Sequence, residues 1–595
     1  MLLEKLQQYA DRLDLSPPMY QKTPIRWLID LDHEGNLLGF VPTTGEGKKE
    51  KNDRGKEYEA PHIARSAGVR AKLLADTGKY VLGLAGDKDK QERVNECHLA
   101  FVEQVKTCAT ATHDPFVLVV QQFLEKLDRT SLVIPDDFNP SHNLTFRIDG
   151  ILPIHQKAVQ NYWALAAGTD EDSRMESPAD SNSMQCLICG ETRPAVKRLP
   201  FKIKRIPGGQ SSGMALISAN APAFESYGLE ASLIAPTCQD CGERFSKAAN
   251  SLIESEDTHI TIGPLVYLFW TKDEVSFSVA SLLSRPESSE VRVLIASAFS
   301  GQQAATFVDA TPFYATALSA SGGRVVVRDW VTTTVKNVQQ ELARYFALQQ
   351  IVDLSDGMLG APYGLFSLAA STVRDAKDLS PNVPKILLRV ALKGGALPLW
   401  LLSEAVKRNR AEAGQWNEPK RYPYARSRLQ QRIALIKMIL LSQKDTLGEE
   451  DYMTRLDIEN HDPAYLCGRL LAVLEAVQQA AIPGVNATVT DRFFGTASSA
   501  PASVFGHLIR GAMAHLGKLR KEKPGTYRAL SQQLAEVQEP LTSFPKTLTL
   551  EQQGLFGLGY FHQKAADRAA AIAYQQAREQ EKEKENSDST AQQQH

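Results

Sequence analysis

The sequence is organised around CLICG at residues 186–190 and CQDCG at residues 238–242, two Cys-x-x-Cys-Gly turns with forty-eight residues between their inner cysteines. Such a turn directs both thiolates at one ion, and the glycine relaxes the tight backbone behind them. Four sulfurs leave no coordination position for water, so the spacing predicts a structural zinc site. The alternative interpretation is two disulfides or unrelated core thiols. The predicted ligands are Cys186, Cys189, Cys238 and Cys241.

The insert between the cysteine pairs combines a basic segment, KRLPFKIKR at 197–205, with a glycine-rich segment, GGQSSG at 208–213. Lys and Arg neutralise phosphates and release counterions, which gives affinity without sequence preference. Gln, Asn and Ser beside glycine can approach base edges in a groove. We therefore interpret the insert as the functional surface of the protein, with both of its ends held in place by the metal site.

Bulk composition indicates a soluble globular protein of two or three domains, with 595 residues, 43% hydrophobic and 23% charged. The longest apolar run, near 262–270, is too short to span a bilayer, and the N-terminus has no signal-peptide pattern. Cys97, Cys108 and Cys467 have no sequence partner, which suits a reducing cytoplasm. The net charge of −2 is uneven along the chain, as in near-neutral proteins that bind polyanions.

Periodicity predicts an α+β fold with a mixed N-terminal domain and an all-α C-terminal bundle. We expect a domain at 1–340 with a zinc element at about 184–245, a helical bundle at 341–579, and a disordered tail at 580–595. A further disordered insert is expected at 168–183, and 45–56 is expected to be a mobile loop. In the N-terminal domain the predicted elements are a helix at 2–13, a hairpin at 25–41, helical sequence at 94–127, strands at 144–151 and 322–330, and further strands and a helix among 265–270, 274–279 and 291–297. The predicted C-terminal helices are 386–406, 426–441, 464–481, 502–519, 527–537 and 550–577.

Motifs for catalysis are missing from the sequence, and we expect no enzymatic activity. Gly47-Lys48-Lys49 lacks both the earlier glycine and the following Ser or Thr of a phosphate-binding loop. Two His-Asp pairs, at 113–114 and 461–462, are each followed by proline and an apolar helix, which predicts that Asp114 and Asp462 are helix N-caps.

Basic residues with interleaved aromatics in 407–437 are typical of a single-stranded nucleic-acid surface, which contacts phosphates and stacks bases. The alternative is a set of amphipathic helices that expose arginine to water. For a second basic stretch, 65–79, the alternative is again a solvated helix face.

Four segments, at 208–228, 465–475, 487–495 and 551–560, resemble the large subunit of the type I-C (Dvulg) CRISPR effector complex, Cascade. The resemblance implies a non-catalytic subunit of an RNA-guided DNA surveillance complex. In this family the N-terminal domain inspects duplex DNA for the PAM, the short motif that flanks the target, and begins to unwind the duplex. The helical bundle lines the path of the displaced strand, and base pairing with the guide RNA reads the rest of the target.

The resemblance also implies partners. These are the guide RNA-bearing Cascade backbone, the RNA-processing subunits, the helicase-nuclease, and a small subunit made by internal translation, for which Met453 is a plausible start. The competing hypotheses are a zinc-ribbon enzyme that processes nucleic acid and a scaffold protein whose basic faces bind acidic protein or RNA.

On this basis we assign three groups of nucleic-acid-binding residues. Residues 224–228 are outside these groups, and we expect them either to contribute to the DNA-binding surface of the insert or to pack beneath its glycine-rich segment. The insert contributes phosphate contacts from Lys202, Lys204 and Arg205, and groove contacts from Gly208, Gly209, Gln210, Ser211, Ser212 and Asn220. Further backbone contacts come from Arg65, Arg70, Lys72 and Lys79, and the bundle contributes Arg426, Arg428 and Arg432.

Overall fold

The computed structural model describes residues 1–44, 53–63, 65, 68–167, 183–219, 221–225, 227–299, 310–415, 421–444 and 453–592. The expected loop at 45–56 and the expected insert at 168–183 lie largely outside these residues. The chain forms two compact units, one of Met1–Glu254 with Leu318–Arg328 and one of Ser255–Ala317 with Asp329–His595. The fold is mixed α+β with a helical C-terminal region, as predicted.

Residues 20–148 of the first unit contribute two small sheets. Their strands are β1 (Tyr20–Ile25), β2 (Trp27–Leu31), β3 (Leu37–Pro42), β4 (Lys56–Pro61), β5 (Ala75–Thr77) and β6 (Asn143–Ile148). The predicted hairpin is confirmed, because β2 and β3 pair antiparallel across the turn at 32–36, and β6 then adds parallel to β2. The four-stranded sheet has the order β3-β2-β6-β5, and β1 pairs separately with β4.

Helices cover this sheet, and the helical sequence predicted at 94–127 is broken in two. His113 adopts a left-handed φ of 52°, and the carboxylate of Asp114 then accepts the backbone N–H of Phe116 and of Val117, which confirms the predicted N-cap. The helices are α1 (Leu2–Ala10), α2 (Gly78–Val81), α3 (Gln91–Thr112), α4 (Pro115–Lys126), α5 (Lys157–Ala166) and α6 (Gln239–Glu254), and a short hairpin joins β7 (Ser183–Gln185) to β8 (Thr192–Pro194).

A second four-stranded sheet follows α6. The elements here are β9 (His259–Ile262), β10 (Leu265–Thr271), α7 (Val279–Ser284), α8 (Ser288–Phe299), β11 (Pro312–Ser321), β12 (Arg324–Thr334) and α9 (Val335–Gln349). The strand order is β12-β11-β10-β9, and the sheet belongs to the second unit except for the hairpin tip at Leu318–Arg328. Residues 274–278 form no strand, because Ser278 caps a helix that begins at Val279. The predicted strand at 322–330 is confirmed as part of a hairpin whose turn is Gly322-Gly323, both at positive φ.

Helices make up the rest of the chain. The helix predicted at 386–406 is two helices, because Gly394 and Gly395 take positive φ between them. The remaining predicted helices are confirmed within a few residues, and the last continues to Gln592, which includes most of the segment assigned to a tail. They are α10 (Leu365–Ala370), α11 (Asn382–Lys393), α12 (Leu399–Ala411), α13 (Ala425–Ser442), α14 (Pro463–Ala481), α15 (Val489–Ala497), α16 (Phe505–Glu522), α17 (Pro524–Gln538) and α18 (Leu550–Gln592).

The contact between α14 and α18 is close because it is made through glycine. A side chain at Gly468 would collide with the carbonyl oxygen of Phe556, and one at Gly559 with that of Tyr465. Beside this contact, the buried carboxylate of Glu475 accepts the hydroxyl of Tyr560 at 2.5 Å. Among the helices that the structure describes, none is both long and apolar enough to cross a bilayer.

Candidate metal cluster and nucleic-acid interface

The four predicted cysteine ligands come together in the first unit. The first pair lies in the tight turn between β7 and β8, where Gly190 has a φ of 76°, and the second pair lies at the start of α6. All four Sγ atoms lie within 4.8 Å of one another. Sulfurs of a tetrahedral zinc site at about 2.3 Å from the metal would lie about 3.8 Å apart, so this donor set fits the ion.

The protein stabilises one thiolate of this cluster with its own backbone. The Sγ atom of Cys186 accepts the N–H of Ile188 at 3.5 Å and that of Cys238 at 3.4 Å. Burial opposes ionisation of Cys186, but the backbone amides of Cys189, Cys238 and Ile188 outweigh it and lower its pKa to about 7. The Sγ atoms of Cys189 and Cys238 are 4.0 Å apart, about twice an S–S bond length, and all four cysteines are free thiols, which does not fit the disulfide alternative.

Helix α6 connects the cysteine cluster to the basic segment. It begins beside the cluster, and Asn250, more than two turns along it, accepts the backbone N–H of Lys204 at 2.8 Å and donates to the carbonyl of Lys202 at 3.0 Å. On its other edge the basic segment pairs with the glycine-rich loop, which comprises the glycine-rich segment at 208–213 and the residues that follow it to 219. Two hydrogen bonds of 2.9 Å join Ile203 to Met214 of this loop. The backbone of the basic segment is therefore fixed on both sides.

Alternation directs Lys202 and Lys204 outward, because successive side chains of extended chain point to opposite faces, whereas Arg205 follows Lys204 directly and has a left-handed φ of 60°. Lys202, Lys204 and Arg205 are exposed. The apolar side chains of 199–206 are buried, with relative exposures of 5% for Leu199, 4% for Phe201, 1% for Ile203 and 5% for Ile206. Lys204 also donates to Gln21 at 3.4 Å, and Arg205 lies 3.3 Å from Glu254 in an exposed pair.

The glycine-rich loop is a compact turn that exposes its polar tip. Gly213 donates its N–H to the carbonyl of Gln210 at 2.9 Å and has a φ of 86°. A side chain at Gly213 would lie 2.8 Å from Cβ of Lys202, so the turn and the basic segment approach too closely for any other residue. The exposed polar groups of the tip are Gln210, Ser211 and Ser212, next to Gly208 and Gly209, whereas Asn220 lies outside the described residues.

The tip of the β11–β12 hairpin belongs to the same unit and joins this loop. Val325 donates its N–H to the carbonyl of Ala215 at 3.0 Å, and Arg324 reaches the carbonyl of Ser218 at 3.4 Å. The Arg324 guanidinium lies 4.2 Å from the ring centroid of Phe224. Phe224 is 49% exposed and Tyr227 is 100% exposed, so the alternative that 224–228 packs beneath the loop is wrong for these rings.

The second basic stretch is not a continuous helix face, because α2 begins only at Gly78 and includes only Lys79 of its four predicted cations. Arg65 makes an ion pair with the buried carboxylate of Asp76 and lies 4.1 Å from the ring centroid of Tyr80, while Lys79 binds Asp89 at 2.7 Å. These cations, like the neighbouring Arg70, are engaged by the protein itself.

Lys72 of this stretch and Lys204 of the insert both influence His62. His62 donates from Nε2 to the carbonyl of Pro200 at 2.8 Å and packs on Phe201. Burial, aided by the charges of Lys72, Lys204 and Lys247 and opposed by the hydrogen bond to Pro200, lowers the pKa of His62 to about 3. Lys72 and Lys204, which are distant in sequence, therefore act on one neutral imidazole.

The structure corrects the prediction for Arg432 in the helical region. Arg432 is 1% exposed, and its guanidinium donates to Glu412 at 2.5 Å and to the carbonyl of Ser371 at 2.8 Å, so it is a core ion pair. Arg428 donates to the carbonyl of Arg374 at 2.8 Å and is partly exposed, and Arg426 is exposed on the first turn of α13. Of the three predicted arginines, two therefore remain accessible.

A basic helix face that we did not single out from the sequence lies on α16. Arg510, Arg520 and Lys521 are exposed on this helix, and side chains built at Gly511 and Gly517 would meet nothing within 4 Å. The signal was present, because 507–523 carries seven His, Lys or Arg residues beyond its apolar positions at helical spacing and only one acidic residue. Polyanionic chain can approach such a face closely.

Comparison with protein families gives one match over almost the whole chain. The family model described as CRISPR-associated protein (Cas_Csd1) matches residues 2–567. No curated protein matches the sequence.

Proposed function

Because the chain belongs to the CRISPR-associated protein family Cas_Csd1, the family of the type I-C large subunit, we propose that its first unit binds duplex DNA at the PAM. Membership of this family makes the chain a subunit of a Cascade effector that also contains other Cas subunits. In such effectors guide RNA pairs with the target strand, and the protein reads only a short flanking motif.

One observation carries the proposal. Lys202, Lys204 and Arg205 point away from a buried apolar row, while the glycine-rich loop beside them exposes Gln210 and two serines. Three exposed cations within residues 202–205 suit the phosphates of a duplex, because Lys and Arg neutralise phosphates and release counterions. Amide and hydroxyl groups on a turn with little side-chain bulk suit base edges in a groove.

Zinc fits this function as a structural support. The four cysteines would hold Zn²⁺ as a closed tetrahedral site, which fixes the start of α6 and thereby the position of Asn250. The metal then sets the geometry of the basic segment without contacting DNA.

The helical region is proposed to guide the displaced strand. Arg426 and Arg428 keep this role, and the exposed cations of α16 extend it over a second helix. Phosphate contact of this kind gives affinity without sequence preference, as a strand of any sequence requires. The small subunit that we expect from Met453 would contain α14 to α18 and would therefore carry the α16 face a second time.

We propose no bond-breaking role for the chain, and the helicase-nuclease of the system is the expected partner for cleavage. Among the described residues, the four cysteines are the single group of three or more His, Cys, Asp or Glu side chains placed to hold a metal ion. Such an all-sulfur set supports folding rather than catalysis. Incubation of the purified protein with DNA and Mg²⁺ or Mn²⁺ tests this proposal. Cleavage of the DNA by the unaltered protein, abolished by a substitution in this chain, would contradict it.

A binding titration tests the main proposal. The assembled complex is titrated against a duplex that carries the PAM and against one with the flank scrambled, at several salt concentrations. We expect the complex to prefer the first duplex, and the Lys202→Ala/Lys204→Ala variant to lose affinity for both. Equal affinity of the unaltered complex for the two duplexes would exclude PAM recognition.

A further inference from the structure

We propose that Phe224 and Tyr227 form a stacking element that holds an unpaired nucleobase at the edge of the bound duplex. This inference rests on the proposed function, because it needs DNA on the neighbouring loop. It adds a second kind of contact, to the face of a base, at residues that phosphate binding and groove reading leave unused.

The exposure of the two rings is the first observation. Tyr227 is 100% exposed and Phe224 is 49% exposed, although aromatic rings normally gain much of their stabilisation from burial. Tyr227 also has a φ of 55°, in the left-handed region that non-glycine residues rarely adopt. A chain that holds a fully exposed tyrosine in an unfavourable backbone conformation is built to present that ring.

The contact to Arg324 is the second observation. The guanidinium lies 4.2 Å from the Phe224 centroid and is held from behind by the carbonyl of Ser218. One face of the ring is thus covered by a cation, which fixes the ring, and the remaining exposure leaves surface for a second planar group. The hairpin tip that carries Arg324 also brings Gly323 beside Gln210, since a side chain at Gly323 would lie 3.5 Å from the amide of Gln210.

Charge decides between a base and a phosphate as the partner of these rings. Glu225 lies between them in the chain and is exposed, so its carboxylate offsets the positive charge of Arg324 beside Phe224 and leaves little net attraction for a phosphate. A nucleobase has a neutral π face that stacks on aromatic side chains regardless of its identity. Rings placed beside groove-reading residues also match proteins that insert apolar wedges between base steps to unstack them.

The experiment uses the complete complex and duplexes with 2-aminopurine at each of the first three positions next to the PAM, on either strand. Unstacking of 2-aminopurine raises its fluorescence. We expect this rise with the unaltered complex and its loss in Phe224→Ala/Tyr227→Ala, with R-loop formation slowed about ten-fold and initial PAM affinity changed less than about three-fold. Tyr227→Trp, which keeps an aromatic ring at this position, should retain the signal, and Tyr574→Ala, which removes a 65% exposed tyrosine from α18, should leave it unchanged.

The outcomes separate this inference from the proposed function. If the unaltered complex prefers the PAM duplex and the double variant gives the same fluorescence and rate, the stacking element is excluded while PAM recognition stands. If the double variant fails to assemble with the other subunits, the rings are a protein contact and the inference is wrong. If the unaltered complex shows no preference for the PAM, both proposals fall.

Discussion

Asn250 holds the backbone of Lys204, accepting its N–H at 2.8 Å across 46 residues of sequence. The same amide donates to the carbonyl of Lys202, and the helix that carries it begins at the second cysteine pair. The position of two proposed phosphate contacts is thus linked to the cysteine cluster through a single rigid helix.

The cluster can be tested by removing one ligand. We expect the unaltered protein to contain about one zinc ion per chain, and Cys241→Ser to contain little, because the three remaining sulfurs leave an open position. Metal content by mass spectrometry and PAM-duplex affinity should fall together. Cys97→Ala, which alters a cysteine outside the cluster, should retain the metal, and full zinc content in Cys241→Ser would contradict the site.

The phosphate role of the basic segment predicts a change in salt dependence. Each lost contact lowers the slope of log affinity against log salt concentration by about one, so Lys202→Ala/Lys204→Ala should reduce it by about two. Lys106→Ala, an exposed lysine of α3, serves as the matched control and should leave the slope unaltered. An unchanged slope in the double variant would show that these ammonium groups do not contact phosphates.

The tight turn of the glycine-rich loop distinguishes two glycines. Both Gly208 and Gly213 have positive φ, so alanine at either costs about 1–2 kcal/mol of backbone strain. Only at Gly213 would the new methyl also lie 2.8 Å from Cβ of Lys202. We expect Gly213→Ala to weaken PAM binding more than Gly208→Ala when both are measured by titration, and the reverse order would contradict the described loop geometry.

Burial separates the arginines of the helical region. Arg432→Ala leaves the buried Glu412 with one fewer partner and should destabilise the protein by about 3–5 kcal/mol. Arg510→Ala/Lys521→Ala removes exposed side chains and should change stability by less than about 0.5 kcal/mol, while it shortens the R-loop lifetime. Denaturant unfolding and strand-displacement kinetics give the two readouts. A stable Arg432→Ala protein would overturn the assignment of this residue to the core.

His62 predicts how acid affects the first unit. Its pKa is about 3 in the folded protein and about 6.5 in an unfolded chain, so the unfolded chain takes up the proton first. The stability that neutral His62 provides is complete above pH 6.5 and falls by up to about 1.4 kcal/mol per pH unit as the pH decreases toward 3. Thermal unfolding from pH 7 to 4 should show a shallower loss in His62→Gln than in the unaltered protein. The exposed His507→Gln is the control, and parallel curves for His62→Gln would refute the prediction.

Local patterns in the sequence predicted much of the fold. The first hairpin and the two Asp-Pro helix starts depend on residues close together in the chain, so local spacing suffices to find them. The four-cysteine cluster joins two pairs that are forty-eight residues apart, but each pair is a local motif typical of zinc ligands, which is why it could be predicted.

The error at Arg432 has a different cause. Residues 432–439 of α13 are buried on every face, including Lys437, whose pKa burial lowers to about 7. A helix surrounded by protein has no solvent-exposed face, and in the sequence an arginine on such a helix cannot be distinguished from one on a surface helix. The position of Arg324 over Phe224 could not be predicted from the sequence either, because the two residues are one hundred positions apart and only the tertiary fold brings them together.

The hairpin tip at Leu318–Arg328 has a consequence for dissecting the chain. A fragment that stops at Glu254 would keep the cysteines, the basic segment and the glycine-rich loop, yet lose the strand edge beside Ala215 and the cation behind Phe224. Supplying residues 312–334 separately as a peptide should complement such a fragment, in the way that a missing strand restores a split protein.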